Sequence, residues 1–79
     1  VPSQKLPADY VRLGRGLREL RHAASLTQVQ AAASIGVRSQ FVSEVERGNR
    51  GLRWHTLLAL LAAYGASLHD LADGIETAR

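Results

Sequence analysis

Apolar side chains recur every three or four residues along most of the chain, and each such stretch ends at a glycine or a short polar connection. Tyr10, Leu13, Leu17, Leu20 and Ala24 share one face of a helix predicted over residues 8–24. Asp9 lies near its start, where the helix dipole favours a negative charge. Ser25 and Leu26 connect to a second helix. Thr27 and Gln30 have capping-box spacing, which predicts a helix start at Gln28. This helix is thin, with Ala31, Ala32 and Ala33 in a row before Ile35, so a neighbour can cross it closely. Gly36 stops it, because glycine takes the left-handed conformation without strain. Val37 returns to the core. Ser39 is the predicted N-cap of a third helix over residues 40–47. There Phe41 or Val42, with Val45, point inward, and Gln40, Ser43, Glu44 and Arg47 point outward. Gly48 ends it, and residues 49–53 form a loop.

The fourth helix, Trp54–Tyr64, is the most apolar. Leu57, Leu60, Leu61 and Tyr64 form its stripe, Leu58 lies off centre, and Gly65 stops it. Ser67 and Asp70 repeat the box-like spacing before a last short helix. Leu68, Leu71 and Ala72 are its predicted inner face and Gly74 its predicted end. Residues 75–79 are expected to fray, and residues 1–7, which hold both prolines, to form a loose arm. The expectation is an all-α bundle of five short helices over residues 8–74, with no room for a sheet.

Length and composition narrow this further. At 79 residues the chain is a single domain. A chain of this size buries only about 60% of the surface its unfolded form exposes. It has no cysteine, so neither disulfides nor thiolate metal sites can stabilise it. Dense helix packing or a dimer must. No apolar run reaches the ~18 residues of a membrane span, and no signal peptide is evident, so a cytoplasmic location is expected. A chain starting at Val1 fits a processed product or a fragment.

Charge adds direction. The net formal charge is +3, but residues 1–53 carry nine Lys/Arg against four acids, and residues 54–79 carry one Arg against three acids. A basic front and an acidic back suit a protein that turns one side to a polyanion, although arginines also simply solvate helix faces. Catalytic chemistry finds no matching pattern. His22, His55 and His69 lack metal-ligand spacing, and no glycine-rich phosphate loop or nucleophile elbow is present. Neither an enzyme nor a bound cofactor is expected.

The helix, glycine turn and helix of residues 27–48 have the build of a unit that enters a DNA major groove. LRELR (17–21), LTQVQAA (26–32), IGV (35–37), FVSEVERG (41–48) and TLLALLAAYGASLHDL (56–71) together resemble the Cro/repressor-type helix-turn-helix family, often called XRE. The resemblance covers about residues 10–73. It implies a lambda-repressor-like fold of four or five helices, with helices 2 and 3 forming the helix-turn-helix, the third helix in the major groove, and dimeric operator binding. By position, Gln28 matches a glutamine that binds a phosphate and buttresses the recognition helix. Arg38, Ser39, Gln40, Ser43 and Glu44 match positions that approach base edges. Asn49 and Arg50 match a backbone-touching loop, and Arg53 lies where a basic residue approaches phosphate or the minor groove. Arg21 and Glu46 match a partly buried salt bridge between helices 1 and 3, and Arg21 is also a candidate phosphate contact. Ala31, Val29, Leu52 and Tyr64 depart from the family's common residues.

The chemistry of the side chains agrees. Gln pairs bidentately with adenine and Glu accepts from the cytosine amino group, while a helix N-terminus presents free amides to phosphate. Glu44 is repelled by phosphate. It reads cytosine, orients Arg47, or lies outside the footprint. The expectation is therefore a bacterial or phage transcriptional regulator, taken as a repressor, that binds a near-palindromic double-stranded operator as a homodimer. Its dimer surface is placed near Trp54, Leu58, Tyr64 and the last helix, unless those aromatics are core. Three subtypes share the fold. A phage immunity repressor carries a further C-terminal domain, a restriction–modification controller is about this long, and an antitoxin-type autoregulator also binds a toxin. A rival of another class is a protein-interaction module that keeps the fold without DNA.

Overall fold

The structure is a computed structural model and describes residues 8–77. The predicted arm at residues 1–7 and the last two residues lie outside them. Five helices follow in order: α1 (Ala8–Ala23), α2 (Gln28–Ile35), α3 (Ser39–Glu46), α4 (Trp54–Tyr64) and α5 (Leu68–Thr77). Among the described residues there is no strand. α1 packs against α3, α4 and α5, while α2 packs against α3 and α4. The core is Leu17, Ala31, Val45, Leu60, Leu61, Tyr64 and Leu71, with Leu13, Leu20, Phe41 and Leu57 packed around it. Every helix thus contributes to one apolar centre, as expected for a domain too small for two.

Local chemistry accounts for the helix ends. The Thr27 hydroxyl accepts from the Gln30 amide at 3.0 Å, and the Gln30 side chain accepts from the Thr27 amide at 2.9 Å. Ser67 and Asp70 make the same reciprocal pair at 3.1 and 2.9 Å. The Ser67 backbone amide and then its side chain hold the Asp70 carboxyl below the usual carboxylate range. Gly36 and Gly65 cap α2 and α4 in the left-handed conformation.

Three expectations are corrected. Ser39 is not the N-cap of α3: Arg38 holds that extended position without a side-chain cap, and Ser39 is already helical. α5 continues through Gly74 to Thr77. A mid-helix glycine costs about 1 kcal/mol against alanine. Here Gly74 lies on α1, where an added Cβ would touch Gly16 Cα at 3.6 Å. That is ordinary van der Waals contact, which alanine would also make, so Gly74 lies against α1 without ending α5. Of the three residues predicted to face inward on α5, Leu71 is buried, whereas Leu68 and Ala72 are exposed.

The third helix resolves one alternative: Val42 is buried and Phe41 only half-buried. The fourth resolves another. Tyr64 is core and does not belong to any dimer surface, whereas Trp54 and Leu58, one turn apart, are exposed. No described helix is long and apolar enough to cross a membrane.

Candidate nucleic-acid interface

Small residues bring α3 close to its supports. Ala31 and Ala32 of α2 are buried, so the thin face of α2 meets α3. A Cβ on Gly14 of α1 would fall within 3 Å of the Val45 and Glu46 backbone. That contact places the end of α3 beside Arg21, two turns along α1. Gly14 has no part in the periodicity argument. Its signal was an isolated glycine inside a helical pattern, which marks a close approach.

At this junction Arg21 and Glu46 form a two-pronged ion pair. Arg21 Nε donates to Glu46 Oε2 at 2.6 Å, and Nη2 donates to Oε1 at 3.0 Å. Both side chains are under a tenth exposed. Arg21 Nη1 also donates to the Leu26 carbonyl at 2.8 Å, and Nη2 lies 3.2 Å from His22 Nε2. Hydrogen bonding to Glu46 raises the guanidinium pKa above its ordinary value, against the opposing effect of burial. Gln28, the first residue of α2, donates from Nε2 to Glu46 Oε1 at 3.0 Å. One carboxylate at the end of α3 thereby gathers α1, α2 and the α1–α2 connection. The bidentate fork is specific to arginine.

This pin fixes which face of α3 remains outside. Val42 and Val45 are buried, while Arg38 and Gln40 are exposed and Ser39, Ser43 and Glu44 are half-buried. The predicted base-reading residues therefore share one accessible surface, with Arg38 and Gln40 the most forward. Asn49, Arg50 and Arg53 are exposed beyond it. Arg53 takes the N-cap position of α4.

The chain reverses at Gly48, where φ is +75°. The Asn49 amide donates to the Glu44 carbonyl at 3.0 Å and the Gly48 amide to the Val45 carbonyl at 3.0 Å. This reversal folds the loop back onto α3. Arg50 Nη1 meets Glu44 Oε1 at 3.2 Å, and the Arg50 guanidinium sits 4.9 Å above the Phe41 ring centroid. The partner of Glu44 within the chain is thus Arg50 and not Arg47. Arg47 instead bonds the Ser43 carbonyl, at 3.4 Å. The Glu44–Arg50 pairing was not legible as a helical spacing, since six residues and a chain reversal separate the two.

Comparisons with known proteins agree with this geometry. A family model described as a helix-turn-helix domain matches residues 12–73. The transcriptional regulator DdrOP3 of Deinococcus deserti is 33% identical over 66 residues, covering 84% of this chain and 51% of that protein. The candidate antitoxin HigA2 of Mycobacterium tuberculosis is 48% identical over 61 residues, covering 76% of this chain and 59% of that protein. The chain thus spans little more than half the length of these relatives. The structure of the restriction–modification controller C.AhdI from Aeromonas hydrophila is 37% identical with a TM-score of 0.77, over 82% of this chain and 98% of that one. The chain belongs to the helix-turn-helix family of Cro/repressor (XRE) type, whose members are DNA-binding transcriptional regulators.

Proposed function

We propose that the chain binds a near-palindromic operator in double-stranded DNA as a homodimer and acts there as a repressor. The observation that carries this reading is the pinned α3, whose outward face gathers Arg38, Gln40, Ser43 and Glu44 while its inward face is core. α3 enters the major groove, and these side chains, with Ser39, address base edges. Asn49, Arg50 and Arg53 take phosphates beside it, as does Gln28 at the N-terminus of α2. Arg21 acts as a positioning residue, because its guanidinium is already committed to Glu46 and Leu26. The exposed pair Trp54 and Leu58 supports a self-association surface on α4.

The likeness to C.AhdI favours a second context, a restriction–modification controller, and the likeness to HigA2 a third, with a toxin as a further partner. All three contexts share the DNA contacts above. The experiment is a mobility-shift titration against random duplex at two salt concentrations, followed by selection of sites from a random DNA pool. A salt-dependent shift and a selected motif with two half-sites about one helical turn apart are expected. No salt-dependent shift would favour a protein-interaction module. A motif with a single half-site would remove the dimer.

A further inference from the structure

The Glu44–Arg50 pair poses a problem for the interface that contains it. A carboxylate and a guanidinium on the DNA-facing surface neutralise each other at 3.2 Å. As long as they do, Arg50 contributes little to a phosphate contact and Glu44 repels no phosphate. The two are not equally accessible. The Glu44 side chain is 29% exposed and that of Arg50 is 54% exposed. Arg50 therefore forms the outer layer, over Glu44 on one side and the Phe41 ring on the other. The arrangement is fixed by backbone, because the reversal at Gly48 is locked by the Asn49 amide on the Glu44 carbonyl.

We propose that Glu44 and Arg50 form a latch that stays closed in the free protein and on non-specific DNA, and opens only where a base pair offers Glu44 a cytosine amino group. If a phosphate draws Arg50 away, Glu44 is left without its counter-charge as a polyanion approaches. That loss is offset only when the major groove supplies a hydrogen-bond donor in reach of the carboxylate. The cytosine N4 amino group is such a donor with no acceptor beside it on the same base edge, whereas adenine sets its N6 donor beside the N7 acceptor and guanine and thymine present acceptors only. On a matching site Arg50 moves to phosphate and Glu44 to cytosine. On other sites the pair remains shut and the phosphate contact is forfeited. Glu44 thus acts as a specificity determinant through what it withholds, since discrimination is a difference between two affinities.

The inference rests on the DNA-binding function proposed above, and its test separates the two. The intact chain, the Glu44→Gln variant and the Glu44→Gln/Arg50→Gln double variant are titrated by fluorescence anisotropy. The probes are random duplex and the site selected by wild type, at several NaCl concentrations, with thermal midpoints measured alongside. One freed arginine adds one phosphate contact, a slope of about 0.9 in log affinity against log salt, which is roughly five- to tenfold at 0.1 M. Glu44→Gln should therefore bind random duplex roughly five- to tenfold more tightly with that steeper slope. It should also lose a cytosine preference at one position, with its thermal midpoint unchanged. The double variant should return to wild-type affinity on random duplex. Unchanged random binding in Glu44→Gln overturns the latch, as does a gain that survives in the double variant. Failure of wild type to bind either duplex overturns the DNA-binding function itself.

Discussion

Replacing Arg21 by alanine removes the donor of the tightest polar contacts between α1 and α3. Glu46 would lose the hydrogen bonds from Nε and Nη2, at 2.6 and 3.0 Å, and keep only that from Gln28. The Leu26 carbonyl would lose its 2.8 Å donor as well. Both charged side chains are less than a tenth exposed, although Arg21 borders a surface groove with His22, Leu26 and Gln28 through which water reaches part of what is lost. Breaking one partner of such a buried pair costs about 3–5 kcal/mol. A domain of this length has a total stability of roughly 4–12 kcal/mol at 0.05–0.15 kcal/mol per residue. Arg21→Ala should consume a large part of it. Replacing both members by apolar residues of similar size, Arg21→Met with Glu46→Leu, removes the stranded charge and should recover most of the loss. Urea unfolding of wild type, both single variants and the double variant measures this directly. A loss below about 1 kcal/mol in Arg21→Ala would mean that the pair behaves as an exposed one and does not pin α3.

Further outcomes follow from the same geometry. Gly48→Ala should cost about 2–4 kcal/mol, from left-handed strain plus an added Cβ 2.7 Å from Val11 Cα. Gly36→Ala has the strain but nothing within 4 Å and should cost about 1–2 kcal/mol; equal losses in urea unfolding would refute the contact. Tyr64 has a buried hydroxyl with no partner among the described residues, and burial pushes its pKa up to about 12. Its folded pKa exceeds the unfolded value, so its contribution is fully present below about pH 10 and is lost as pH rises towards 12. Tyr64→Phe should be neutral or stabilising by up to ~1 kcal/mol at pH 7, and should show a flatter loss of stability between pH 10 and 12 in thermal melts. A variant less stable than wild type at pH 7 would reveal a hydroxyl that is hydrogen-bonded, and parallel alkaline losses would mean that burial does not raise the Tyr64 pKa.

Much of this fold was legible because its helices carry their own punctuation. Thr27 with Gln30 and Ser67 with Asp70 form the predicted reciprocal caps, and Gly36, Gly48 and Gly65 hold positive φ at the predicted stops. Punctuation also misled where tertiary packing outweighed it. Gly74 looks like a stop because glycine weakens helices, yet α5 runs on through it to Thr77 while packing against α1. Leu68 and Ala72 fit a helical stripe, but of the three predicted inner residues α5 turns Leu71 alone into the core. At the candidate interface, residue types and order placed Gln40, Ser43 and Glu44 on the outer face of α3. What periodicity could not supply was the third dimension: Gln28 reaching Glu46, and Arg50 returning over Glu44 and Phe41. Both contacts join residues far outside one helical repeat, so only the packed chain brings them together.

If the outer face of α3 reads bases, Gln40 is the residue to probe, being exposed on that face and outside the Arg21–Glu46 pin. The measurement is the affinity of wild type and Gln40→Ala for the selected operator, for single-base variants of it, and for random duplex at one salt concentration. A loss of about 1–3 kcal/mol on the operator is expected, with preference relaxed at one base pair and random binding unchanged. An equal loss on operator and random duplex would contradict it.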